Sequence, residues 1–223
     1  MTPNIIDWKN SLDQKTANQS AFEKWLFVNL GKVLLAGKPG ELVKMPVEAW
    51  GMKENEVEQA ACTLTATWGL RMHVVHRCDC WVCVLVYHPA TLQITLDRAT
   101  ANSRFGSLGY PPGTTCDTFL QELSQRWAAT GVIPHEIGVA LGYPLKDVLG
   151  YMGLVTLPVT MVKGWRIYGN PQPSLRIKAQ HDRGLAAAMA LVDADWTIFA
   201  CSRTCATIPE DDMTGEQRCK AAI

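Results

Sequence analysis

Residues 81–87 read WVCVLVY, and this stretch constrains the fold more than any other. In an extended strand successive side chains alternate between faces, so Trp81, Cys83, Leu85 and Tyr87 share one face and Val82, Val84 and Val86 the other. Both faces are apolar. A half-solvated strand would alternate apolar with polar, so this one has to be central or covered on both sides. The same alternation makes Cys83 a small buried hydrophobe, in keeping with the strong tendency of cysteine thiols to be buried.

The strand is preceded by LRMHVV (70–75) and then HRCDC (76–80), which suggests a β-hairpin of residues 70–75 and 81–87 with the cysteines at the connection. Helical signals surround it. SAFE at 20–23 has capping-box spacing, apolar residues follow through Leu34, and Gly37 stands at the C′ position with Pro39 beyond. A short strand is expected in ELVKMPV (41–47). Helices are expected over 54–68, in part of 89–108, and over 117–129 with Leu120, Leu123 and Trp127 inward. Two short helices fit 133–152, where Pro134 and Pro144 suit helix starts. A last strand fits GWRIYG (164–169), and a long helix fits 174–200, with Gly184 as a bend. The fold expected is α+β: one helix-rich domain spanning 1–223 with a small sheet, an ordered core over about 20–205 and polar termini.

Size and composition agree with a globular chain. At 223 residues it can build one well-developed core, and it is 48% hydrophobic and 19% charged. Lys+Arg and Asp+Glu are both 21, so the formal charge is zero. That balance lacks the basic footprint of a nucleic-acid binder, and it gives no reason to expect an anionic membrane surface as a partner. The N-terminus has no apolar core of signal-peptide length, and the most apolar run is too short to span a bilayer. A cytoplasmic protein is expected, whose eight cysteines stay reduced instead of forming four disulfides.

Metal ligation is then the sharpest chemical reading of the cysteines. His76, Cys78 and Cys80 alternate, so in an extended chain they point the same way, and thiolate with imidazole suits zinc or iron. Three ligands do not close a tetrahedral site. Cys201 and Cys205, one helical turn apart, could complete it, or could simply pack at the end of the last helix. CWVC also has C-x-x-C spacing, but no helix start follows Cys80 to stabilise a thiolate, which argues against a redox pair.

IPHEIGVALGYPLKDVLGYM (133–152), GWRIYGN (164–170) and LAGKPGELV (35–43) together resemble an uncharacterised bacterial family, a domain of unknown function found chiefly in anaerobes. The matching residues are Pro134 to Gly138, Leu141 to Val148, Gly164 to Gly169 and Cys205, and the resemblance runs from about Phe22 to Cys205. It implies a shared fold and no established activity. Where family members often carry Cys-Ala-Pro in the first helix, this chain has Leu30-Gly31-Lys32, so any nucleophile there is missing.

Inside that signature, His135 and Glu136 open a helix. The helix N-terminus favours Glu136 as an anion and disfavours a protonated His135. A neutral imidazole beside a carboxylate is an acid–base pair or a ligand, with Tyr143, Asp147, Trp165 and Tyr168 as candidate lining. The plainer alternative is that Glu136 only satisfies helix-start amides and Gly142-Tyr143-Pro144 only makes a turn. Gly138, Gly142 and Val148 also have helix-turn-helix spacing, but PLKDVLGYM offers no Arg, Asn or Gln to read base edges. Three functions follow as expectations. The first is binding of a metal or metal-containing cofactor, and the second a small-molecule enzyme using His135 and Glu136. The third is a regulatory or interaction module. The partner expected is a small molecule or a metal.

Overall fold

The computed structural model describes residues 3–46, 49–78 and 81–192. Its first part contains α1 (Pro3–Ser11), α2 (Ala17–Asn29), α3 (Gly31–Ala36), β1 (Gly40–Pro46), α4 (Glu54–Thr67), β2 (Arg71–Cys78) and β3 (Trp81–Tyr87). The remainder is α5 (Pro89–Thr100), α6 (Ser103–Gly106), α7 (Cys116–Thr130), α8 (Ile137–Ala140), α9 (Leu145–Tyr151), β4 (Val159–Val162), β5 (Arg166–Tyr168) and α10 (Gln172–Leu191). The fold is α+β, helix-rich around a small antiparallel sheet.

β3 is the central strand, paired antiparallel with β1 on one side and β2 on the other. Its two apolar faces serve two cores. Val82, Val84 and Val86 join residues of α1, α2, α3, α4 and α10. Cys83, Leu85 and Tyr87 join residues of α5, α7, α8 and α9. Both sheet faces are thus covered, and Cys83 is fully buried. The hairpin forms, but β2 runs on to Cys78, so His76 and Cys78 lie on the strand and not in the connection. A register shift between Val74 and His76 marks an irregularity there.

The helix starts differ from the sequence expectation in an instructive way. α2 begins at Ala17, capped by Thr16: its side chain accepts from the Gln19 amide, and Gln19 Oε1 accepts from the Thr16 amide. The SAFE box does not form because Glu23 is engaged elsewhere, accepting from Trp8 Nε1 (2.7 Å) and pairing with Lys15. The polar N-terminus is also part of the core. Ile5, Trp8 and Leu12 are buried at helical spacing, and Trp8 stacks on Phe27 at 4.5 Å and meets Trp68 edge-on at 5.0 Å.

At the other end of the chain, β5 lies within the expected strand and pairs with β4, which the sequence reading passed over. Gly184 does not serve as a bend. It lets α10 cross α3 at close range, where Gly31 faces Ala188 and Gly184 faces Ala36. The part of the expected long helix beyond 192 lies outside the described residues. No helix among those residues is long and apolar enough to cross a membrane.

Candidate functional site

His76 and Cys78 share one face of β2. The His76 ring lies flat against Trp127 of α7 (centroids 4.8 Å apart, 5° between planes) and near Trp81 (5.6 Å). Burial and the Lys44 ammonium lower its pKa, so the ring is neutral near pH 7. Cys80, Cys201 and Cys205 lie outside the described residues. Among the described residues, no three His, Cys, Asp or Glu side chains converge to hold a metal.

His135 and Glu136 face different surroundings. Glu136 is buried, where its Oε1 accepts from Arg126 Nη1 (2.7 Å) and from the Tyr110 hydroxyl (3.1 Å). Arg126 also donates to the Leu108 carbonyl, so the carboxylate ties α7 and the 108–110 loop to the start of α8. The Tyr110 hydroxyl is held protonated, first by burial and then by Glu136. His135 is exposed and meets the Tyr151 ring edge-on at 4.8 Å.

Asp147, Trp165 and Tyr168 are brought together, as an internally satisfied network. The Asp147 carboxylate is buried at the start of α9 and takes four donors: Trp165 Nε1 (3.0 Å), the Tyr168 amide (2.9 Å), Ser174 Oγ (2.6 Å) and Lys146 Nζ (2.5 Å). Lys146 donates again to the Tyr168 carbonyl (2.6 Å). One carboxylate therefore joins α9, β5 and the first turn of α10. Such saturation makes it a structural clamp, with little capacity left for a ligand.

Tyr143 belongs to a different cluster, at the end of the sheet where β1 begins. Gly37 takes a left-handed conformation (φ 66°) after α3, and the Lys38 amide bonds back to the Lys32 carbonyl (3.1 Å). The turn aims the Lys38 side chain inward, leaving the residue 4% exposed. Its Nζ reaches Glu41 Oε2 at 2.9 Å, and Lys32 Nζ lies 3.5 Å from the same oxygen. Gly142, itself left-handed (φ 72°), lets Pro39 pack against the α8–α9 turn, where a Cβ would stand 2.6 Å from Pro39 Cδ. The next residue, Tyr143, therefore sits with its ring centroid 6.0 Å from Lys38 Nζ, stacked on Trp165 at 4.7 Å. α10 contributes His181, buried at 8% exposure and close enough to interact electrostatically with Lys38 and Glu41.

The electrostatics of this cluster are unusual. Burial lowers the Lys38 pKa, Lys32 adds to the effect, and Glu41 opposes it. Burial would raise that of Glu41, but Lys38 and Lys32 together hold it down. Tyr143 is pushed up to about 12 by burial and by Glu41. His181 is pushed down to about 4, chiefly by burial and then by Lys38. Among the described residues, the buried polar side-chain atom left without a hydrogen-bond partner is Trp68 Nε1, in the core on the other face of the sheet. A buried lysine–glutamate pair with a tyrosine and a histidine of shifted pKa around it is the kind of cluster that marks a candidate for chemistry.

Of this cluster only Tyr143 stood out in the sequence. Lys38 and Glu41 lie within LAGKPGELV, whose Gly-Lys-Pro-Gly turn was read as a helix stop and for its family resemblance, not for its charges. His181, in an ordinary-looking helix, carried no signal. A wide groove of about 720 Å³ between α1, α2 and α4 is less suggestive, since Glu23 at its floor is already paired.

A family model described as a protein of unknown function (DUF3793) matches residues 26–199. No curated protein and no solved structure matches the chain. The matched span holds all of the Lys32–Lys38–Glu41–Tyr143–His181 cluster, and α1 precedes it.

Proposed function

The chain belongs to the DUF3793 family of proteins of unknown function, and from that premise we propose that it binds a small anionic molecule among Lys38, Glu41, Tyr143 and His181 and acts on it by proton transfer. The observation that carries this reading is the buried Lys38–Glu41 pair, with the Tyr143 ring 6.0 Å from Lys38 Nζ and the buried His181 in electrostatic range of both. Tyr143 keeps its proton at neutral pH and is a donor, while His181 is neutral and can accept a proton. Lys32, partly exposed at the edge of the cluster, supplies the positive charge that an anion would meet. Trp165, fixed by Asp147, holds the Tyr143 ring in place. We assign acid–base work here and not to His135 and Glu136, because Glu136 is committed to Arg126.

The test is ligand-detected NMR with a panel of small carboxylates on the full chain and on Tyr143→Phe and His181→Gln. Binding should weaken about tenfold or more in each variant, the loss expected when a hydrogen bond to a charged ligand is removed. Equal binding by all three proteins would overturn the assignment.

A metal-binding reading is a second proposal, favoured by His76 and Cys78 sharing a face at the end of β2 with the imidazole neutral. Zinc or iron would then be held with Cys80, and with Cys201 and Cys205. Elemental analysis of anaerobically purified protein and of Cys78→Ser tests it: metal in the first and none in the second is expected, and metal-free wild type sinks it.

A further inference from the structure

Resting on the site reading above, we propose that Lys38 is a nucleophilic amine and that the ligands of this site are small aldehydes or 2-oxo acids carrying a carboxylate, held as an imine on Lys38 Nζ. The geometry points to this through a mismatch of charges. Two lysines share one carboxylate oxygen: Lys38 Nζ lies 2.9 Å and Lys32 Nζ 3.5 Å from Glu41 Oε2. One carboxylate cannot neutralise two ammonium groups, and the two differ in solvation. The Lys32 side chain is 27% exposed and can draw on water, whereas that of Lys38 is 4% exposed. Lys38 is therefore the one that gives up its proton.

Hydrogen-bond capacity agrees. An ammonium carries three donors, and Lys38 Nζ has one acceptor, Glu41, among the described residues. A buried ammonium would strand two N–H groups there; a neutral amine keeps its lone pair for an electrophile. Desolvation beside a second cation is a recognised way to activate a lysine. The direction of the Lys38 pKa, lowered by burial and by Lys32, is consistent. The Lys32 and Glu41 side chains beside it are partly exposed, and Lys32 would pair with the carboxylate of an incoming carbonyl acid.

The step balances with the groups present. The Nζ lone pair attacks the carbonyl carbon, and the C=O π pair moves onto oxygen, which takes the Tyr143 proton. Nitrogen gives a proton to Glu41, leaving a neutral carbinolamine. The hydroxyl then departs as water with the proton held by Glu41, the nitrogen lone pair forms C=N, and the remaining iminium proton returns to the Tyr143 phenolate. Amine and carbonyl become imine and water, with no change of oxidation state.

The experiment is reductive trapping. The full chain is treated with glyoxylate and sodium cyanoborohydride near neutral pH, and modified lysines are located and timed by peptide mass spectrometry. Each unit by which an amine's pKa is lowered raises its neutral fraction about tenfold, so Lys38 should be labelled at least about tenfold faster than the exposed Lys9 and Lys163. Lys32→Met removes the competing cation, lets Lys38 keep its proton on Glu41, and should slow Lys38 labelling by a similar factor. A lysine that is merely accessible would not respond to Lys32. Labelling of Lys38 no faster than of Lys9, or unchanged in Lys32→Met, overturns the inference. If acetate, which forms no imine, still binds at the cluster while Lys38 stays unlabelled, the site reading stands and the nucleophile falls. If Lys38 is labelled rapidly and Tyr143→Phe and His181→Gln change neither binding nor labelling, the nucleophile stands and the proton-transfer roles fall.

Discussion

A methyl group placed on Gly184 of α10 would lie 2.5 Å from Cβ of Ala36 on α3 and 3.1 Å from the Gly31 carbonyl. Gly31 makes the reciprocal approach, with its missing Cβ 2.4 Å from that of Ala188. The two helices thus cross with their backbones nearly in contact. Gly184→Ala should destabilise the protein by about 1–3 kcal/mol, the usual cost of overpacking, even though alanine is the better helix former. Urea denaturation measures it, and a neutral or stabilising result would mean that the helices part freely.

Asp147 predicts a larger loss. Asp147→Ala leaves Trp165 Nε1, the Tyr168 amide, Ser174 Oγ and Lys146 Nζ without their shared acceptor. Removing one partner from a buried charged network costs on the order of 3–5 kcal/mol. Thermal unfolding of Asp147→Ala should fall accordingly, with Trp165 fluorescence shifting as its anchor goes. An unchanged Trp165 environment would sink the clamp.

Arg126 separates a buried ion pair from a surface one on a single side chain. It pairs with Glu136, whose side chain is 5% exposed, and with Glu122, whose side chain is 40% exposed. Glu122→Ala should cost under about 1 kcal/mol. Arg126→Met should cost several times as much, because Glu136 then stays buried with only Tyr110. Comparable losses in chemical denaturation would contradict the burial of Glu136.

His181 predicts a pH dependence. Its folded pKa of about 4 lies below the unfolded value near 6.5, so between these the unfolded chain binds more protons. Stability from this group is complete above about pH 6.5 and is lost as pH falls toward 4, by up to about 3 kcal/mol. His73 and His76 are also lowered by burial and act in the same direction, so the His181 share is the part missing in His181→Gln. NMR titration finding His181 near 6.5 would refute its burial beside Lys38.

The sheet and most helices were legible because they depend on local periodicity and on caps. WVCVLVY announced a strand covered on both sides, and two cores flank it. Gly37, Gly69 and Gly131 each end a helix in the left-handed conformation that favours glycine. Where local signals competed, distance in the fold decided. Glu23 had capping-box spacing to Ser20, but Trp8 and Lys15 reach it first, and the cap moved to Thr16.

The candidate site was legible only in fragments. Tyr143 could be named, because Gly-Tyr-Pro is an unusual turn, but the roles of Asp147 and Glu136 depend on partners 18 to 27 residues away (besides the adjacent Lys146) and 10 to 26 residues away respectively. Lys38 with Glu41, Tyr143, and His181 come from three places in the chain: the turn from α3 into β1, a glycine turn, and the helix that crosses α3. By itself the sequence determined most element types, the two-faced strand and the family resemblance, since each is written in neighbouring residues. Only the tertiary structure decided which charges lose their water, because burial belongs to a residue's surroundings and not to its neighbours in the chain.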